Sequence, residues 1–138
     1  MTPKEECEVL LDKLLSVTKY LLKKNGEFHP VGAVLTHDSA PAFTAVQYYN
    51  ESSDPKSVIE DLIHAHRRLS EKVGILASGI AWNAAVSTPD GGKSDAIVIS
   101  LEHKDDYTAI VALPYKIGLF RKIKFGEMFA VKGNHDVF

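Results

Sequence analysis

The sequence predicts an α+β domain: an antiparallel sheet of five or six strands with two principal helices, in the order α-β-β-α-β-β-β and then a short closing strand. Three observations carry that expectation. A capped helix with a broad leucine stripe opens the chain. A second helix with its own start signal begins near residue 55. After residue 75 the chain alternates β-forming runs with turn residues.

The first helix begins at Thr2, a natural N-cap, followed by Pro3 at the first helical position and by Glu5, which completes a capping box. Leu10, Leu14, Val17 and Leu21 then recur along one side, flanked by Leu11, Leu15 and Leu22, a stripe wider than a coiled-coil seam. Asn25-Gly26 marks the stop. Two strand-like runs follow, Val31 to Thr36 and Ala42 to Tyr49, joined by His37-Asp38-Ser39-Ala40-Pro41. Asn50-Glu51-Ser52-Ser53 reads as a loop. Asp54-Pro55 repeats the cap-then-proline opening, with Val58, Ile59, Leu62, Ile63 and Leu69 as the buried face of helix two and Gly74 as its end.

Ile75 to Thr88 reads as a long strand rich in small residues, closed by the turn Pro89-Asp90-Gly91-Gly92. Ala96 to Glu102 and Tyr107 to Tyr115 form a hairpin through Lys104-Asp105-Asp106. The short runs Ile123-Phe125 and Met128-Val131 come last. Ile97, Ile99 and Leu101 are apolar on one side of their strand, and Ala96 and Val98 are apolar on the other. A sheet with one wet face shows polar residues there, so both faces need a cover. Either the helices lie on opposite faces, or a second subunit covers one of them. With no repeat or linker, residues 1–138 read as a single domain.

Composition narrows the function classes without choosing one. At 138 residues the chain can bury an ordinary core without staples. A formal charge of −2 supplies no field that would steer the whole molecule toward nucleic acid or an anionic membrane. The basic groups His66-Arg67-Arg68 and Arg121-Lys122-Ile123-Lys124 are each too small to bind nucleic acid alone. The single cysteine, Cys7, excludes an internal disulfide and a cysteine-based zinc site. Acidic residues stand at the N-terminus where a secretion signal carries base, and no apolar run is long enough to span a bilayer, so the expected address is cytoplasmic, with no membrane and no nucleic-acid partner.

Each candidate chemistry has a simpler reading. Gly91-Gly92-Lys93-Ser94 imitates the end of a phosphate-binding loop, but Ser87 stands where that pattern needs glycine and a strand follows where it needs a helix. His64 and His66 stand two apart on a helix and diverge. With Arg67 and Arg68 they read as a solvated face compensating the helix dipole. Glu102 and His103 are strand neighbours and diverge likewise, so no metal and no cofactor are expected. Cys7 lies among Glu5, Glu6 and Glu8 in phase with the leucines, and reads as a small buried hydrophobe. The remaining candidates for a ligand site are polar or aromatic groups at strand ends and in the small-residue strand: His29, Trp82, Asn83, Glu102, His103 and Tyr115.

Several phrases carry a resemblance: Phe28-His29-Pro30-Val31-Gly32-Ala33, Ser94-Asp95-Ala96-Ile97, Leu101-Glu102-His103, Leu113-Pro114-Tyr115, Phe125-Gly126-Glu127 and Val137-Phe138. In this order they resemble a family of small bacterial cytoplasmic proteins of unknown function, which brings no catalytic residues with it. The element order is similar to that of roadblock and profilin-like domains, whose sheets carry helices on both faces. That resemblance implies a dimeric scaffold or a ligand-sensing module. The expectation is therefore a non-enzymatic interaction or small-ligand-binding module that forms a homodimer and takes a small molecule or a protein as partner. The rival is a small hydrolase or isomerase with a pocket near Trp82, Glu102, His103 and Tyr115. Convergence of those four side chains separates the two readings.

Overall fold

The computed structural model describes residues 1–44 and 54–138. Helices α1 (Pro3–Asn25) and α2 (Pro55–Lys72) accompany strands β1 (Val31–Leu35), β2 (Pro41–Thr44), β3 (Ala77–Ser87), β4 (Lys93–His103), β5 (Tyr107–Ile117), β6 (Ile123–Phe125) and β7 (Phe129–Val131). All the described strands join one antiparallel sheet in the order β2-β1-β3-β4-β5-β6, with β7 also paired to β5. This is the α+β architecture the sequence predicts, in the same element order. Two short strands share the outer edge of β5: β6 lies opposite Tyr115–Ile117, and β7 opposite Ile110–Ala112. The expected run Ala42 to Tyr49 is a strand as far as Thr44; its remainder and the loop 50–53 lie outside the described residues.

The helix signals translate directly into hydrogen bonds. Thr2 Oγ1 accepts the Glu5 N–H at 3.1 Å and Glu5 Oε1 accepts the Thr2 N–H at 3.1 Å, closing the capping box. Gly26 adopts φ +77° and donates its N–H to the Leu22 carbonyl at 2.8 Å, a left-handed stop. At α2 the proline does the work alone, because the Asp54 side chain makes no capping bond. The centre of the α1 stripe is rotated from its expected line. Cys7, Leu10, Leu14, Thr18 and Leu22 are the buried column, while Val17 and Leu21 are only half-buried. Thr18 fits a dry column because its hydroxyl donates to the Leu14 carbonyl at 2.7 Å.

Alternation along the strands places the helices on opposite faces. Ala77, Ala81, Ile97, Ile99 and Leu101 form one core with the α1 column. Gly79 belongs to that face, and a Cβ there would come 2.7 Å from Leu14 Cδ1, so glycine lets helix and strand approach closely. On the other face Ile80 packs with Val58 and Leu62 of α2. Gly32 is the matching close approach, with a Cβ falling 2.9 Å from Leu62 Cδ2. A helix on each face explains why β3 is apolar on both sides near Ile80; on the α2 side of β4, Ala96 and Val98 pack with Trp82, Ala84, Val86, Ile110 and Phe129 of the sheet itself.

Candidate functional site

Among the described residues, the buried side chains that could form a site gather in three places. The first is on the α2 face. The column Val58, Leu62 of α2 continues one turn further into His66, which is fully buried. Its Nε2 lies 2.8 Å from Thr44 Oγ1 on β2, and its Nδ1 lies 2.6 Å from Ser78 Oγ on β3. Burial lowers its pKa from the usual 6.5 to about 4, so the ring is neutral near pH 7, with one nitrogen donating and the other accepting. His66 therefore corrects the sequence reading of a solvated, dipole-compensating histidine; only His64 of that pair is exposed. The signal that could have found it is the 58, 62, 66 spacing, which stays on one side of the helix.

Beside this triplet lies a cavity of about 60 Å³ lined by Ser78, Ile80, Trp82, Ser100 and Glu102 of the sheet, Ile59 and Ile63 of α2, and Asp136 of the C-terminal segment. Glu102 is 3% exposed and accepts the backbone N–H groups of Val137 (3.0 Å to Oε2, 3.1 Å to Oε1) and Phe138 (3.4 Å). Burial raises its pKa against the pull of those two donors, and the nearby Asp136 charge adds to the rise. Arg67 Nε donates to the Asp136 carbonyl, tying the same segment to α2. The chain end is thus folded back over the Glu102 end of the face.

The second group is at the α1 face, near the start of that helix. His103 is buried, accepts the Asp105 N–H at Nδ1 (3.0 Å), and places Nε2 3.2 Å from Glu6 Oε1. The accepting Nδ1 leaves the ring proton on Nε2, directed at the carboxylate. The Ser39 hydroxyl donates to the other Glu6 oxygen at 3.1 Å. The third group is at the opposite end of the sheet, where the buried Tyr115 hydroxyl donates to Asn83 Oδ1 at 2.7 Å. Burial raises the Tyr115 pKa, and the Asn83 bond partly offsets the rise. Val31 pairs with Ala81, so the half-buried His29, two residues before Val31, enters β1 at this same end.

The six expected site residues therefore divide. Trp82 and Glu102 meet at one cavity, Asn83 and Tyr115 meet at another place, and His103 faces Glu6 on the other side of the sheet from Glu102. Strand alternation produces the split: 82 and 83 point to opposite faces, as do 102 and 103. The four groups of the hydrolase reading do not converge on one point.

Ser78 and His66 are within proton-transfer reach, and the chemistry they support follows from their surroundings. Ser78 is 3% exposed and His66 is 0% exposed. Ser78 lies inside a strand paired on both sides, opposite Val34 and Glu102, so its backbone groups belong to the ladder and not to an oxyanion. The second ring nitrogen of His66 meets a hydroxyl, not the carboxylate that would orient a catalytic base. A cavity of about 60 Å³ has room for one or two waters (each about 30 Å³ of liquid volume), far below the size of a metabolite pocket. The arrangement satisfies buried polar atoms and joins β2, α2 and β3.

Cys7 is fully buried, and its pKa is pushed up to about 12, first by burial and then by the charges of Glu6 and Glu102. Among the described residues no three His, Cys, Asp or Glu side chains stand close enough to hold a metal ion, and no helix is long and apolar enough to cross a membrane. At the Asp90 turn, Gly91 adopts φ +89°, Asp90 Oδ1 accepts the Gly92 N–H at 3.0 Å, and Ser87 pairs with Lys93. This is a hairpin with β4 opening directly after it. No family model, curated protein or solved structure matches the chain.

Proposed function

We propose that this chain is a non-enzymatic interaction module that pairs with a second copy of itself through the α2-side face of the sheet, beyond the reach of α2. One observation carries the reading. Along β3, β4, β5 and β7 that face carries an uncharged cluster in which Ala96, Val98 and Ala112 are buried, Ala84, Val86, Ile110 and Phe129 are half-buried around them, and Val131 stands at the edge. Helix α2 packs on β3, and the C-terminal segment turns back only at the Glu102 end. Ile110 and Phe129 are left half-buried, and Val131 is 56% exposed.

An uncharged face suits a two-fold contact, since like meets like with no repulsion to relieve. Ala96 and Ala112 at its centre are buried, so the contact falls to Ile110, Phe129 and Val131 around them. The element order and the helix on each face support the likeness to dimeric roadblock and profilin-like domains, and a lone reduced Cys7 suits a cytoplasmic setting. Light scattering over a micromolar concentration range tests the proposal. The expected mass is near twice 15.2 kDa, falling to the single value for Ile110→Glu or Phe129→Glu. A wild-type protein that stays at 15.2 kDa throughout sinks it.

A further inference from the structure

The β5–β6 connection gathers cations with no carboxylate among them. From Tyr107 to Gly126 there is no carboxylate, while Lys116, Arg121, Lys122 and Lys124 crowd around its tip. Pairing of Lys116 with Lys124 and Ile117 with Ile123 closes the base of the loop. Hydrogen bonds from the Gly118 N–H to the Lys122 carbonyl (2.8 Å) and from the Lys122 N–H to the Leu119 carbonyl (3.2 Å) hold the tip.

Phe120 and Arg121 both take left-handed backbone angles, φ +59° and +58°. That conformation is uncommon for bulky side chains and persists where surroundings enforce it. Its result is that Leu119 is 85% and Phe120 98% exposed, two adjacent large apolar side chains standing in water. Beside Phe120 an open hollow of about 840 Å³ is lined by the four loop cations and by Lys23, from the last turn of α1.

We infer that this tip is a docking site for the surface of an anionic phospholipid bilayer, with Leu119 and Phe120 entering the acyl boundary and the five surrounding cations meeting phosphate headgroups. The net charge of −2 conceals the site because the carboxylates lie elsewhere. Geometry favours a bilayer over a nucleic acid. Single-stranded chains need a basic groove that tracks a backbone with aromatics spaced along it, whereas here the cations ring one apolar point. A bilayer accepts a projecting leucine and phenylalanine together and requires no concavity. Each basic residue near an anionic surface raises partitioning by roughly five-fold, so several engaged together give measurable attachment without a spanning segment.

Co-sedimentation with vesicles decides it. Full-length protein should pellet with vesicles of phosphatidylcholine mixed with phosphatidylglycerol and remain in solution with phosphatidylcholine alone, and salt should release it. Leu119→Ser/Phe120→Ser should weaken binding at least about ten-fold, and Lys122→Glu/Lys124→Glu should abolish it. An unchanged circular dichroism spectrum and unchanged mass by light scattering show that these exposed-loop variants fold and self-associate as before. Absence of pelleting, or pelleting that survives the serine substitutions, overturns the inference. So does tight binding to a single-stranded oligonucleotide that the serine variant retains, which would make the cations a nucleic-acid surface. A variant that changes the mass in solution overturns it too, by assigning the tip to contact between copies.

Discussion

Where α1 meets the sheet, the middle of the contact is apolar: Leu10, Leu14 and Leu22 lie over Ala33, Ala77, Ala81, Ile97 and Ile99, and the Thr18 hydroxyl is satisfied within its own helix. Polar pairs stand at the ends of that face, Glu6 with His103 and Ser39 at one and Tyr115 with Asn83 at the other. Where α2 meets the opposite face, Leu62 and Ile80 are interleaved with His66, Ser78 and Thr44, and Glu102 holds the chain terminus nearby. Beyond α2 that face stays partly open. The first side gains its stability from area removed from water. The second is held by hydrogen bonds whose groups must stay neutral or paired, so pH should act on it far more strongly.

Core truncation on the α1 side gives the largest expected effect. Leu14→Ala should cost ~2–5 kcal/mol, the range for buried leucine, measured by urea unfolding. Leu21→Ala, at a half-buried position, should cost about half as much. Equal losses would mean that the buried stripe runs along Leu10, Leu14, Val17 and Leu21 after all.

His66 sharpens the comparison next. Its folded pKa of about 4 lies below the ordinary 6.5, so between those values the unfolded chain binds the proton and the folded chain does not. Stability is therefore complete above pH 6.5 and falls as pH drops toward 4, by up to about 3 kcal/mol. Glu102 runs the other way. Its raised pKa gives a contribution that is present at low pH and lost as pH rises through the folded value. His66→Gln, which can still bond to Thr44 and Ser78 but does not titrate, should flatten the acid limb, and Glu102→Gln should steepen it. Unfolding free energies from pH 7 to 4 check both, and an acid limb unchanged in His66→Gln would show that the histidine is not held neutral.

These residues also mark where reading the chain succeeded. Capping and turn chemistry is local, so Thr2 with Glu5, Gly26, and the Asp90-Gly91 turn were legible, and the element order followed from them. His66 was not. Arg67, Arg68 and His64 made that end of α2 look solvated, and only the 58, 62, 66 column argues otherwise. Site geometry was harder still. Trp82 and Glu102 share a cavity because β3 and β4 pair Ser78 with Glu102. Asn83, His103 and Tyr115 lie on the other face by the same register. Divergence of adjacent strand residues can be read from a sequence, but which residues of different strands meet depends on a register that no local signal sets. The mean charge, likewise, said nothing about its concentration at the β5–β6 tip.

A smaller effect is expected at the chain end. Glu102→Ala removes the acceptor for the Val137 and Phe138 N–H groups and should cost about 1–3 kcal/mol. It should also speed hydrogen exchange at the Val137 and Phe138 amides while the α1 amides keep their protection. Exchange at the wild-type rate would mean that the carboxylate does not hold that segment.

The least perturbing test concerns Cys7 and addresses how closed the α1 side is. The thiol is fully buried, yet a groove of about 200 Å³ between α1, β5 and β7 has Cys7 among its lining residues. If the α1 contact is as tight as Gly79 against Leu14 implies, a disulfide reagent in that groove finds almost no thiolate at pH 7, because the pKa stands at about 12. Modification should then proceed only as fast as the protein unfolds, and should quicken with urea in step with loss of helix. Labelling much faster than global unfolding would place a local opening at the start of α1. The Glu6–His103 pair would be the joint to examine, since it fastens that end of the helix to the sheet.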